Sequence, residues 1–325
     1  MKILVTGANG QLGRCLFDIL SSEEQMKNMF PNKEDFRIDY YFADRSQIDI
    51  TDENLYDILS DMKPDVIINC AAYTDTYGAE TNQELAFKAN TYGVSNLATA
   101  CSRLGIKLIH ISTDYVFDGK KSTPYTEDDA CNPLNMYGVT KFFGESYIRS
   151  ICPTAIIVRT SWLYSEYGNN FVKKTVERLK EKNYMAYVTD EVSVPTYARN
   201  LAKFIMFLVI RDYTVTDPIY HISGIINFTD NGIASRYDFA KAIEEYHFGE
   251  DMGFVRPCLT KNIVDTIKRP PYSVLDNSKG LKLVTEYTSE SWRTALKRCV
   301  CNIGCVNLSE PVVDQPRKIY REECE

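Results

Sequence analysis

Through the first half of the chain, short runs of β-branched and aromatic residues alternate with longer stretches whose apolar positions recur at helical spacing. The extended runs are Ile3 to Thr6, Tyr40 to Ala43, Val66 to Cys70, Leu108 to Ser112 and Ala155 to Thr160. Between them, Leu12 to Leu20 and Leu85 to Arg103 carry the helical pattern. This alternation predicts an α/β fold, a doubly wound sheet of parallel strands. The polar stretch Ser22 to Phe36, which contains Pro31, reads as a long excursion with no role of its own.

The second half is less regular. Phe171 to Lys182 and Tyr197 to Ile210 predict helices, while Tyr184 to Val188 and Ile219 to Ile222 predict extended segments. After Trp292 to Val300 the pattern lapses into a polar tail with Pro311 and Pro316. The expected organisation is a sheet domain over residues 1–168, with 196–223 returning to the sheet. A smaller substrate-binding lobe is expected from 169–195 and 224–300, and a polar tail over 301–325.

Composition narrows the function classes. The 325 residues are 44% hydrophobic and 25% charged, enough to build a large core, and the net charge of −7 offers no basic footprint for nucleic acid. The longest apolar helix candidate, Phe204 to Ile210, is far short of the roughly 20 residues that span a bilayer, so no membrane partner is expected. Met1 runs straight into a strand with no secretory signal pattern, and Cys70 and Cys101 sit in apolar or helical segments, which suits a reducing, cytoplasmic location. Cys299, Cys301 and Cys305 lack a second spaced pair and a nearby histidine, so no metal is expected.

Chemistry first appears at Gly7-Ala8-Asn9-Gly10-Gln11-Leu12-Gly13, which follows a strand and opens a helix. In that context one glycine permits the tight turn, another lets backbone amides approach a pyrophosphate, and the last lets helix and strand pack closely. The helix N-terminus adds partial positive charge for the phosphates. A Rossmann-type site for NADPH or NADH is therefore expected. At the end of the second strand Asp44 favours free ribose hydroxyls and Arg45 favours a 2′-phosphate, so dual cofactor use is expected, with two solvated loop charges as the plain alternative.

The run Ser112-Thr113-Asp114-Tyr115-Val116-Phe117-Asp118-Gly119 follows a later strand, and Tyr137-Gly138-Val139-Thr140-Lys141 puts a tyrosine and a lysine one helical turn apart. A neighbouring ammonium would lower the phenol pKa from about 10 and make Tyr137 a usable proton donor, while Thr113 would hold a substrate carbonyl oxygen.

With these motifs the sequence resembles the extended short-chain dehydrogenase/reductases, and within them the dTDP-4-dehydrorhamnose reductase family. The resemblance runs from Met1 to about Val300 and includes Asn69 to Thr74, Asn132 to Asn135, Arg159 to Tyr164, Gly168 to Phe171, Val194 to Tyr197 and Arg269 to Lys279. It implies a catalytic set of Thr113, Tyr137 and Lys141, with Lys141 also on the nicotinamide ribose. It places Asp49 and Ile50 near the adenine, and Ala71, Ala72, Tyr73 and Ile111 along the cofactor. Asp114, Tyr115 and Trp162 would face the sugar, and Asn169 and Arg269 the nucleotide diphosphate; a core role for Trp162 and a loop-fixing role for Arg269 are the structural alternatives.

The implied reaction is NAD(P)H-dependent reduction of the 4-keto group of dTDP-6-deoxy-L-lyxo-4-hexulose to dTDP-L-rhamnose, by a monomer or homodimer. The rivals are a reductase or epimerase/reductase for another nucleotide sugar, and a non-catalytic NADP-binding subunit like the regulatory subunit of methionine adenosyltransferase. Two departures from the family pattern bear on this. Thr76-Tyr77-Gly78 replaces a Val-Asp-Lys-like stretch and is expected to alter one wall of the sugar pocket. Cys15 stands where some members have an acidic residue supporting metal-linked dimers.

Overall fold

The structure is a computed structural model that describes residues 1–31, 37–215, 217, 221–263 and 267–303. Its first half runs β1 (Lys2–Thr6), α1 (Gln11–Leu20), α2 (Glu23–Met29), β2 (Asp39–Ala43), α3 (Leu55–Met62) and β3 (Val66–Asn69). There follow α4 (Thr76–Thr81), α5 (Gln83–Phe87), α6 (Gly93–Leu104), β4 (Lys107–Thr113), α7 (Met136–Ile151) and β5 (Ile156–Thr160). The second half contains β6 (Leu163–Tyr164), α8 (Phe171–Lys180), β7 (Met185–Val188), β8 (Val192–Ser193), β9 (Thr196–Tyr197) and α9 (Ala198–Thr214). It ends with β10 (Gly224–Asn227), β11 (Ala234–Ser235), α10 (Arg236–Phe248), β12 (Val255–Cys258), α11 (Ser278–Leu283) and α12 (Trp292–Ile303).

Six strands form one parallel sheet in the order β10-β5-β4-β3-β1-β2. Its strands are apolar on both faces because both are covered. Ile3 and Val5 of β1 point into a core closed by α1 and α9, while Leu4, between them, joins a second core with α3 and α6. This is the doubly wound α/β arrangement that the alternating pattern predicts. Strand order reverses at β1, whose neighbours are β2 and β3, so the crevice for a ligand opens at the carboxyl ends of β1 and β3.

A third core gathers Tyr164, Val172, Phe239, Trp292 and Leu296 from β6, α8, α10 and α12, beyond the sheet. Small two-stranded pairs, β7 with β12 and β8 with β11, complete that region.

Three details differ from the sequence reading. The supposed excursion after α1 holds a short helix, α2, capped by Ser22, whose side chain accepts from the backbone N–H of Gln25; residues 32–36 lie outside the described residues. The helix pattern from Leu85 to Arg103 contains one π-helical turn, Lys88–Tyr92. The strand expected at Ile219–Ile222 falls partly outside the described residues, and the strand that joins the sheet is β10, just beyond it. The polar tail lies outside the described residues from 304 on, after α12 has continued to Ile303. Among the described helices none is long and apolar enough to cross a membrane.

Candidate active site

The glycine loop adopts the geometry that its spacing implies. Gly7 has φ +69°, and a Cβ there would come within 2.7 Å of the Ala71 nitrogen and the Cys70 carbonyl carbon, so only glycine lets the β1 turn lie against the end of β3. A Cβ on Gly13 would meet the Gly7 carbonyl oxygen at 2.5 Å, which fixes how closely α1 approaches the turn. Both glycines flank a backbone left bare at the N-terminus of α1, and no acidic side chain occupies that first turn. A pyrophosphate fits this cradle by shape and by charge.

A cavity of about 1680 Å³ begins there and runs across the carboxyl ends of the strands. Its lining includes Gly7, Gly10, Gln11, Leu12, Arg45, Asp49, Ile50, Ala71, Ala72, Tyr73 and Ile111 at one end. Thr113, Asp114, Tyr115, Tyr137, Lys141 and Trp162 line it further along; Arg269 lines it too, as does Asn169, whose neighbour Gly168 lies against Gln11 of the glycine loop. Nearly every residue singled out in the sequence is thus brought to one surface. Gly13 stands behind it in a packing role.

Asp44 is the exception among the charged residues. Its carboxylate accepts from Ser46, through both backbone N–H (2.9 Å) and hydroxyl (2.6 Å), and from Asn9 Nδ2 (3.0 Å), and it does not line the cavity. Those hydrogen bonds hold it below its ordinary pKa. Arg45 does line the cavity, steadied by Asp49 at 2.9 Å. The expected contest between Asp44 and Arg45 is therefore unequal, because a local turn takes up the carboxylate.

Thr113 closes β4, and its hydroxyl caps the single 3₁₀ turn Asp114–Val116 by accepting from the Tyr115 amide. Tyr137 sits in the first turn of α7, a helix capped by Asn135, whose side chain accepts from Gly138 N–H at 2.9 Å. Gly138 permits this approach, since a Cβ there would lie 2.2 Å from the Tyr115 carbonyl oxygen. Tyr115 and Tyr137 meet edge to face, 5.9 Å between centroids.

The electrostatics differ from the sequence expectation. Burial pushes the Tyr137 phenol well above its ordinary pKa, and its hydrogen bond with Thr113 pulls the other way. Lys141 is buried, and its Nζ donates to the Ile111 carbonyl at 2.6 Å and lies 3.1 Å from His110 Nε2. Burial lowers its pKa to about 8, partly opposed by Glu145. The lysine is turned toward β4, and it loses its proton before the phenol would. Burial thus favours the protonated form of the Tyr137 phenol. Asp114, buried and accepting from Ser273 Oγ at 2.5 Å, is raised to about 6, chiefly by burial.

Tyr77 does not belong to the pocket. It is 60% exposed and does not line the cavity, whereas its neighbour Thr76 does. A Cβ on Gly78 would come within 2.2 Å of the Tyr73 hydroxyl, the end of a side chain. Cys15 is a fully buried core residue of α1.

Sequence reasoning passed over Arg236, Glu191, Lys174 and Lys268, all of which line the cavity. Arg236 opens α10, whose start carries a readable signal, a capping box formed by Ser235 and Asp238. Nothing local shows that this helix start lies over Trp162. Trp162 itself both lines the cavity and packs against the third core, stacked on Phe239 at 6.4 Å, so the pocket and core readings are both realised.

The family model described as RmlD substrate binding domain matches residues 1–305. The dTDP-4-dehydrorhamnose reductase of Aggregatibacter actinomycetemcomitans is 36% identical over 301 residues, covering 91% of this chain and 97% of that protein. The crystal structure of a dTDP-4-dehydrorhamnose reductase from Clostridium acetobutylicum is 36% identical, with a TM-score of 0.81 over 94% of this chain and all of the other. The corresponding Bacillus anthracis enzyme in complex with NADP is 33% identical, with a TM-score of 0.81 over 93% of this chain and 99% of the other. The glycine cradle, the Thr113-Tyr137-Lys141 cluster and this end-to-end similarity lead to one conclusion: the chain belongs to the dTDP-4-dehydrorhamnose reductase family.

Proposed function

We propose that the chain reduces the 4-keto group of dTDP-6-deoxy-L-lyxo-4-hexulose to give dTDP-L-rhamnose, using NADPH or NADH. The observation that carries this reading is the meeting of Thr113 and Tyr137 in the middle of a cavity whose one end is the bare glycine cradle. The family relatives act in the same sense by name, and one was solved with NADP.

In this reading Gly7, Gly10, Gln11 and Leu12 hold the pyrophosphate, with Arg45, Asp49 and Ile50 at the adenosine end and Ala71, Ala72, Tyr73 and Ile111 along the remainder. A reduced nicotinamide bound there supplies the hydride. Thr113 steadies the sugar carbonyl oxygen, and Tyr137 holds a proton at its phenolic oxygen and delivers it to that oxygen as negative charge develops. Burial suits this role, because it keeps the phenol protonated until a strong base appears beside it. Asp114, Tyr115 and Trp162 bound the sugar. Asn169, Lys268 and Arg269, which also line the cavity, are offered to the nucleotide diphosphate, the two cations suiting its charge. Residues 1–168 and 196–223, together with β10, carry the cofactor, and the remainder through residue 300 forms the substrate lobe. The enzyme works in the cytoplasm as a monomer or homodimer.

Turnover of NADPH with the dTDP-linked 4-keto sugar, followed by nicotinamide absorbance with product identification, tests the proposal. A UDP-linked 4-keto sugar run in parallel tests the rival substrate class, and tight NADP binding without turnover of either sugar would favour a regulatory role.

A further inference from the structure

Behind the reaction centre lies a chain of buried polar side chains that the reaction as described does not use. Thr6, Asn69, His110 and Lys141 come from β1, β3, β4 and α7, and none is more than 2% exposed. Asn69 Oδ1 accepts from the Thr6 hydroxyl at 2.6 Å and from the backbone N–H of Ala71 at 3.2 Å. A backbone N–H only donates, so this end of the amide is its oxygen. The other end, Nδ2, therefore donates to His110 Nδ1 at 2.9 Å. A neutral imidazole carries one ring proton, and with Nδ1 accepting, that proton is on Nε2. Nε2 faces Lys141 Nζ at 3.1 Å, and Nζ in turn donates to the Ile111 carbonyl at 2.6 Å.

We propose that His110 is a positioning residue for Lys141: locked by Asn69 with its proton on Nε2, it donates to Nζ and so favours the lysine's neutral amine. An ammonium has no lone pair to accept that hydrogen bond, whereas an amine accepts from His110 and still donates to Ile111. Burial and Lys141 both hold His110 well below the usual imidazole range, so the ring does not escape the conflict by gaining a proton. The other ionisable groups near Nζ are Glu145, from the next turn of α7, and Cys70, after β3. Glu145 is itself engaged by Arg159 of β5 and by Ser112, and burial keeps the Cys70 thiol neutral. Lys141 is thus poised between its two charge states by a scaffold that reaches back to β1. The functional consequence rests on the active-site reading of Lys141; the tautomer of His110 does not.

Two measurements test this on the full chain. The protein has three histidines, and the variant H221N/H247N leaves His110 alone for ¹⁵N spectroscopy of its ring nitrogens. Over roughly pH 7 to 9 the spectrum is expected to show a protonated Nε2 and an unprotonated Nδ1. A protonated Nδ1, or an imidazolium, overturns the proposal whether or not the protein is an active reductase. The second measurement is the high-pH limb of kcat. H110N keeps an acceptor for Asn69 but removes the donor to Nζ, so the limb should move up by about one pH unit, and H110Q, whose amide reaches further, should bring it back. A limb that stays in place in folded, cofactor-binding H110N overturns the proposal.

Discussion

The guanidinium carbon of Arg236 lies 3.6 Å from the ring centroid of Trp162, and Trp162 holds a left-handed backbone with φ 42°. That conformation costs a non-glycine residue about 1–3 kcal/mol and persists only where its surroundings enforce it. Arg236 is in turn 3.9 Å from Glu191 and packs toward Phe171. The arginine thus fixes the orientation of an aromatic wall of the cavity. R236Q removes a partly buried cation–π contact worth about 2 kcal/mol. KM for the keto sugar should rise about tenfold or more, while affinity for NADPH should stay as it was. Initial-rate kinetics and cofactor titration separate the two.

Cofactor choice follows from the occupied carboxylate of Asp44. Ser46 and Asn9 take up that group, and of the two charged neighbours Arg45 is the one that lines the cavity. The similar use of NADH and NADPH expected from the sequence should tilt toward NADPH. R45A should weaken NADPH about tenfold or more and leave NADH almost unaffected, since only the 2′-phosphate offers the guanidinium a charged partner. Fluorescence titration with each reduced cofactor reads this directly.

Away from the site, buried Asp230 accepts from the Tyr197 N–H and from Asn200, and burial raises it from 3.8 to about 7. A carboxyl raised in the folded state contributes stability that is complete below its unfolded pKa and is lost as pH rises through the folded one. The wild-type protein should therefore lose up to a few kcal/mol from this group between about pH 4 and pH 7. D230N has no such titration, so its stability relative to wild type should improve as pH is raised, whatever constant penalty the changed hydrogen bonds carry. Urea midpoints at pH 5 and pH 8 check the sign.

The left-handed turn at Gly7 gives a backbone test. G7A would force a Cβ to 2.7 Å from the Ala71 nitrogen in a conformation that alanine disfavours. Cofactor binding should be lost, and the thermal midpoint lowered, because β1 and the end of β3 must separate. G105A, where φ is +70° but nothing lies within 4 Å, should lower the midpoint less and retain cofactor binding.

Much of this arrangement is legible in the sequence because it is local. The glycine spacing after β1, the hydroxyl after β4 and the spacing of Tyr137 and Lys141 each depend on one strand end or one helical turn. What sequence did not disclose depends on distant segments meeting. Arg236 reaches Trp162 only because α10 packs against α8 in the third core. His110 sits in an apolar strand and gives no local sign that Asn69 fixes its ring. Helical spacing places Lys141 near Tyr137, but the burial of its ammonium and its hydrogen bond to the Ile111 carbonyl depend on segments distant in sequence. Tyr77 misled in the opposite way. Its residue type suggests a pocket role, but its side chain is exposed, and in this stretch it is Thr76 that lines the cavity.

The central claim is that Tyr137 gives the proton that completes reduction of the 4-keto sugar. Y137F keeps the ring that packs against Tyr115 and removes only the donor. The decisive measurement compares wild type and Y137F at saturating NADPH with dTDP-6-deoxy-L-lyxo-4-hexulose, recording kcat and, separately, NADPH affinity. Wild type is expected to be active, and Y137F to lose about 10² to 10⁴ in kcat with an unchanged cofactor affinity. Wild-type turnover retained by Y137F would mean that the proton comes from elsewhere, and would contradict the account.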